Sequence, residues 1–150
     1  MSRITLAQAS TVVDVALAKG RELGLAPMTI VVLDAGGHPV ALKREDGSGI
    51  LRVEIATGKA WGGLGLGAGS RMLADRVASG PPGAAFINAI AAASGGRVVP
   101  VAGGVLVRDA AGDVVGAVGA SGDLSDKDEI CAVVGIEAAG LVADTGAKPA

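Results

Sequence analysis

The chain has 150 residues and a formal net charge of −2; half of it is hydrophobic, yet its aromatics amount to 1%, namely Trp61 and Phe86. A chain of this length suits one domain with a single core, which must be built from Val, Ile, Leu and Ala. Without a basic excess or aromatic stacking platforms, nucleic-acid binding is excluded, and no continuous apolar stretch has membrane-spanning length.

Thr5-Leu6-Ala7-Gln8 matches a capping box. Leu6, Ala9, Val12, Val13, Ala16, Leu17, Gly20 and Leu23 recur at helical spacing, and Gly24 with Pro27 ends the run. A hairpin follows, with strands near 28–34 and 38–44. Residues 50–66 read as helix, with a weakening signal after Trp61, where Gly62, Gly63, Gly65, Gly67 and Gly69 are poor helix formers. Ser70 is placed to cap a short helix over 71–77, 79–83 reads as a loop, and 84–93 as a further helix. Arg97-Val98-Val99-Pro100 reads as a short edge strand, since Pro100 cannot donate to a ladder.

The second hairpin, 103–122, joins two apolar runs through Asp109-Ala110-Ala111-Gly112. It aligns without a gap on the first, Asp109 falling on Asp34 and Ser121-Gly122 on Asp46-Gly47. Gly116 and Gly119 inside the second run mark close approach by a backbone, a helix or a ligand. Ser125-Asp126-Lys127-Asp128 opens a last helix carrying Ile130, Val133, Val134, Glu137, Ala138 and Leu141, and 146–150 reads as a frayed tail. The order helix, hairpin, helices, hairpin, helix predicts one α/β (α+β) domain with an antiparallel sheet.

Several residues are candidates for chemistry. The glycine run before Ser70 and Arg71 superficially matches a dinucleotide fingerprint. It follows a helix rather than a strand, however, and 84–90 contain no acid, so a Rossmann site is rejected. The run either allows close helix packing or, with Ser70 and Arg71, holds an anion. His38, the single histidine, is an exposed turn residue or a ligand and proton-transfer group. Asp123, Asp126, Asp128 and Glu129 either cap a helix start or meet a ligand. Their spacing is not an EF-hand, and one histidine and one cysteine do not make a transition-metal cage, so no metal is assigned. Lys59, in an apolar stretch, either snorkels to water or is desolvated with a lowered pKa, fit to act as a base or anion binder. Cys131, the lone cysteine, reads as a small core residue. It cannot form an internal disulfide, and the start of the chain lacks the apolar core of a signal peptide, so a cytoplasmic protein is expected. The high apolar content points to surface shared between copies, a homo-oligomer.

The stretch Pro27-Met28-Thr29-Ile30-Val31-Val32-Leu33-Asp34-Ala35-Gly36-Gly37-His38, with Arg44-Glu45-Asp46-Gly47, resembles the first signature of the GlcG/HbpS family, which includes the C-terminal domain of PduO-type proteins. Lys59-Ala60 matches its central helix. Pro100 to Val105, Gly112 to Gly122 and Asp126-Lys127-Asp128-Glu129 match its second signature. The resemblance implies a profilin-like domain, an antiparallel sheet of about five strands flanked by helices, and assembly as a homo-oligomer. The family label implies haem, or a related tetrapyrrole, as ligand; the residues themselves leave the cofactor unnamed. Candidate iron ligands reduce to His38, Cys131, Met28 and Met72, and the Gly-rich stretch from Trp61 to Arg71 departs from the family pattern.

Three readings follow. The first is an oligomeric small-ligand-binding protein, with Arg71, Ser70, Asp46, Ser121, Gly122 and Asp123 as ligand contacts. The second is an enzyme acting on a small carboxylated metabolite, in which Arg71 or Lys59 holds the carboxylate. There Lys59, Asp128, Glu129 and His38 form the catalytic set and move the proton. The third is a purely structural oligomer.

Overall fold

The structure is a computed structural model that describes residues 3–148. Its elements run α1 (Leu6–Glu22), β1 (Thr29–Asp34), β2 (Pro39–Arg44), α2 (Arg52–Leu66), α3 (Arg71–Ala78), α4 (Pro81–Ala93), β3 (Gly104–Arg108), β4 (Val114–Ser121), α5 (Ser125–Ala138) and β5 (Val142–Asp144). The five strands form one antiparallel sheet in the order β2-β1-β4-β3-β5. This is the mixed α/β layering that the element order predicted.

Local signals set the boundaries. Thr5 Oγ1 accepts from the Gln8 N–H at 3.1 Å while Gln8 Oε1 accepts from the Thr5 N–H at 3.0 Å, so the capping box forms. At the other end of α1, Gly24 takes φ +67°; its N–H donates to Arg21 O and that of Leu25 to Gly20 O, a Schellman stop. The two hairpin turns are alike. Asp34 Oδ1 accepts from the N–H groups of Gly36 and His38, and Asp109 Oδ1 accepts from those of Ala111 and Asp113.

Strand alternation sorts the apolar residues onto two faces. Ile30, Val32, Val105, Val107, Val118 and Ala120 pack beneath α1 and α5. Val31, Leu33, Leu106 and Ala117 meet Ala56 and Ala60 of α2. Leu73, Ile87 and Val98 join α3 and α4 to the outside of α2.

Glycine controls how closely α2 approaches. Gly104 and Gly119 are register partners on β3 and β4. A Cβ on Gly119 would collide with the Ala56 carbonyl, and one on Gly104 with the Lys59 carbonyl. On the outer face of the helix, a Cβ at Gly58 would meet Val99 and the Arg97 carbonyl, and one at Gly62 would meet Val98 and Leu73. The helix therefore runs unbroken past Trp61 to a left-handed C-cap at Gly67. Each interior glycine costs about 1 kcal/mol of helix propensity, and close packing on both faces offsets it.

Four expectations are corrected. Residues 97–100 are not a strand: the Val99 N–H donates to Gly58 O, a helix carbonyl, at 3.2 Å. The free side of β3 is taken instead by β5, which pairs Val142–Asp144 with Leu106–Arg108. Residues 81–83 are helical, with Pro81 and Pro82 supplying the first turn of α4, where the missing N–H costs nothing. Ser70 does not cap α3. The buried face of α5 carries Cys131, Ala132, Gly135 and Ile136 rather than Ile130, because Gly135 lies against the Val12 carbonyl of α1. The Gly146 N–H donates to Asp144 Oδ1 at 3.0 Å, and residues 149–150 of the expected tail lie outside the described residues.

Gly119→Ala is expected to lower stability in urea denaturation by about 3 kcal/mol, as overpacking against a helix backbone does. Gly65→Ala, which meets nothing within 4 Å, should be neutral or stabilise by up to about 1 kcal/mol. Equal stability of the two variants would refute the seating of α2 on the glycine pair.

Candidate functional site

Two features compete for function, a polar cluster at one end of the sheet and an apolar groove outside α2. The cluster forms where β4 ends at Ser121 and turns into α5. Lys59 reaches there from α2, on the other face of the sheet, by passing Gly103, where a Cβ would stand 2.9 Å from its Nζ. Nζ donates to Ala120 O at 2.9 Å and to Asp128 Oδ2 at 3.2 Å. Asp128 Oδ1 accepts from the Asp123 N–H at 2.9 Å. The two side chains are 2% and 0% exposed, so Lys59 is desolvated and does not snorkel. Burial pulls the Lys59 pKa below its ordinary value and pushes that of Asp128 up. A salt bridge alone would shift both the other way, so desolvation outweighs the pairing.

The neighbouring polar groups are likewise satisfied by one another. Glu129 takes the Arg71 guanidinium in a fork, Nε and Nη2 donating at 2.9–3.0 Å. Ser70 Oγ donates to Val101 O at 2.6 Å and accepts from the Gly104 N–H at 2.8 Å, stapling the chain ahead of β3. Arg52 Nη1 donates to Ser121 Oγ at 3.0 Å. Asp123 accepts from the N–H groups of Ala26 and Leu124, and these donors lower its pKa. Gly122 lies against the Pro27 carbonyl and Met28. Among the described residues no buried side-chain polar atom lacks a partner.

The cluster thus unites Lys59, Asp128, Glu129, Arg71, Ser70, Ser121, Gly122 and Asp123. Asp46 lies at the same end of the sheet, on a separate open depression with Arg21, Lys43 and Glu45. His38 is not part of the cluster. It sits on the turn at the opposite end of β1, its side chain 80% exposed and Nδ1 3.3 Å from Asp34 Oδ1. Cys131 is buried, its thiol pushed up to about 11 by burial. The described residues contain no group of three His, Cys, Asp or Glu able to hold a metal ion.

The groove is what the sequence reading missed. Val53, Ile55, Thr57 and Trp61 of α2 face Arg97 and Val99 of the returning segment across about 440 Å³, within the size range of small-ligand sites. The Arg97 guanidinium stacks 3.8 Å from the Trp61 ring centroid. The first hairpin turn abuts the same indole, a Cβ on Gly37 falling 3.0 Å from Cδ1 and Nε1. The spacing of Gly58 and Gly62, one helical turn apart beside Trp61, was the available signal. It was hidden because 97–100 read as a strand.

The family model described as "Haem degrading protein HbpS-like" matches residues 4–137. An uncharacterized 15.0 kDa protein from the dhaT–dhaS intergenic region of Citrobacter freundii is 29% identical over 137 residues, covering 91% of this chain and 92% of that protein. Among solved structures, a PduOC:heme complex superposes with a TM-score of 0.81 at 24% identity, covering 93% of this chain and 96% of the other. A double variant of Streptomyces reticuli HbpS superposes with a TM-score of 0.75 at 25% identity, covering 91% and 87%.

Breaking the buried pair leaves one charge without its partner, so Lys59→Met or Asp128→Leu alone is expected to cost about 3–5 kcal/mol. The double variant should recover most of that loss. The folded-state pKa of Lys59 lies below the unfolded 10.5. In the window beneath 10.5 the unfolded chain therefore binds a proton that the folded chain has released. Stability relative to the double variant should rise with pH through that window. Urea midpoints across a pH series measure it; a falling trend would contradict the dominance of desolvation.

Proposed function

The chain belongs to the HbpS-like family, and on that premise we propose that it binds haem or a related tetrapyrrole. The observation that carries this reading is the groove beside Trp61: its lining joins apolar Val53, Ile55 and Val99 to an aromatic ring and the guanidinium stacked on it. A flat apolar macrocycle bearing carboxylates suits that combination. The haem-bound PduOC structure, which shares the fold, lends support to this ligand class.

The polar cluster suits a different role. Lys59 and Asp128 face each other, Arg71 faces Glu129, and none is left pointing at a ligand. These contacts support a structural part for the residues that sequence reasoning had set aside for proton transfer on a carboxylated metabolite, and for Ser70, Ser121 and Asp123 as well.

We propose further that the chain self-associates. Ile50, Leu51 and Leu124 stand exposed on the segments leading into α2 and α5, a cost that a second copy would remove. A reducing compartment such as the cytoplasm suits its buried, unpaired Cys131.

Haemin titration should give a saturable Soret change at one equivalent per chain, with Trp61→Leu weakening it about tenfold. Linear uptake without saturation, indifferent to Trp61, would overturn the binding reading and leave the structural oligomer. Sedimentation should give a multiple of 14.4 kDa, reduced in an Ile50→Asp, Leu124→Asp variant; a wild-type monomer would refute self-association.

A further inference from the structure

The groove offers apolar side chains, an aromatic ring and a cation, the chemistry of a flat apolar acid, but no group suited to iron. Arg97 is the cationic side chain in its lining. Stacking on Trp61 fixes the guanidinium plane while leaving its edge N–H groups available. Its backbone is held as well, since the next residue but one, Val99, donates to Gly58 O and the Arg97 carbonyl packs over Gly58. Among the described residues Arg97 makes no ion pair. A preordered, uncompensated guanidinium beside an apolar wall is a carboxylate anchor, able to take both oxygens in a fork.

Among the described residues no iron ligand stands with it. The one carboxylate on the wall, Glu54, lies in the exposed first turn of α2. His38 does not line the groove and points to solvent from its turn. Cys131 is buried in α5, on the other side of the sheet. Met28 is fully buried, its Sδ packed against Gly20. Met72 lies on a separate depression with Asp75 and Arg76. The donor set that would grip iron axially is therefore dispersed across the fold.

We propose that this groove selects planar apolar carboxylates through Arg97 and the Trp61 wall, with no contribution from iron, so that metal-free porphyrin acids are ligands equal to haem. The proposal rests on the groove being the tetrapyrrole site and changes what that site reads: the acid edge of the macrocycle rather than its metal.

The full-length protein is titrated with haemin, protoporphyrin IX and protoporphyrin IX dimethyl ester. Haemin and protoporphyrin should bind within about threefold of each other, and the ester at least about tenfold more weakly. Arg97→Gln, a change on an exposed side chain, should bring the acids down to the level of the ester and leave the ester unchanged. Circular dichroism and the melting temperature establish that this variant is folded. Haemin binding about thirtyfold or more tighter than protoporphyrin, with the gap closed by His38→Ala, would overturn the proposal while the tetrapyrrole reading stood. Equal binding of acid and ester would also overturn it. Binding of none of the three would end both readings together.

Discussion

The arrangement depends on a contact with no side chain on one side of it. Gly104 and Gly119, paired across β3 and β4, leave a flat patch on which the carbonyls of Ala56 and Lys59 rest. A helix normally stands off a sheet by the thickness of two sets of side chains, and here one set is missing. That closeness brings Lys59 within reach of the strand end, so that an ammonium from one layer meets a carboxylate from the opposite layer. The same helix turns Gly58 and Gly62 outward, and residues 97–99 of the returning segment pack against them. Both the buried pair and the outer groove follow from missing side chains, on the sheet beneath α2 and on the outer face of α2 itself.

Much of the fold was legible because its signals are local. Capping groups, strand alternation and the Asp-to-Gly turns act over a few residues, and α1 and both hairpins formed where those signals lay. The failures were tertiary. Gly62, Gly63 and Gly65 weaken a helix in isolation, yet packing overrode that preference. Arg97 to Pro100 is apolar and β-branched enough for a strand, but its partner is a helix carbonyl. β5 went unread although Gly140 follows α5 just as Gly24 follows α1, with the same pair of backbone bonds. Three residues are too few to show alternation.

The candidate site was legible in part, for a related reason. Charged residues attract attention in a sequence, and Lys59, Arg71, Asp128 and Glu129 do converge. Their convergence is mutual, each carboxylate already answered by a cation, and burial explains the displaced pKa values of Lys59 and Asp128 without a ligand. The groove, by contrast, is built from glycines, valines and a stacked arginine brought together from α2 and residues 96–99. The signal along the chain, Gly58 and Gly62 one helical turn apart beside Trp61, marks a place where side chains are missing but not the segment that comes to lie against it.

The sheet order also bears on how the molecule comes into being. β1 sits between β2 and β4, and its partner residues on β4, such as Gly119 for Val31, lie about ninety positions later in the chain. Long-range pairings of this kind are slow to close. During synthesis the first hairpin emerges with one of its apolar margins unsatisfied, and it stays so until the second hairpin has left the ribosome. Lys59 waits longer still, since its partner belongs to the last helix. The two halves resemble one another in their turns, yet the first offers an open, β-branched strand to any passing chain and the second closes it. The vulnerable moment for this protein therefore falls in translation, before its C-terminal third has appeared.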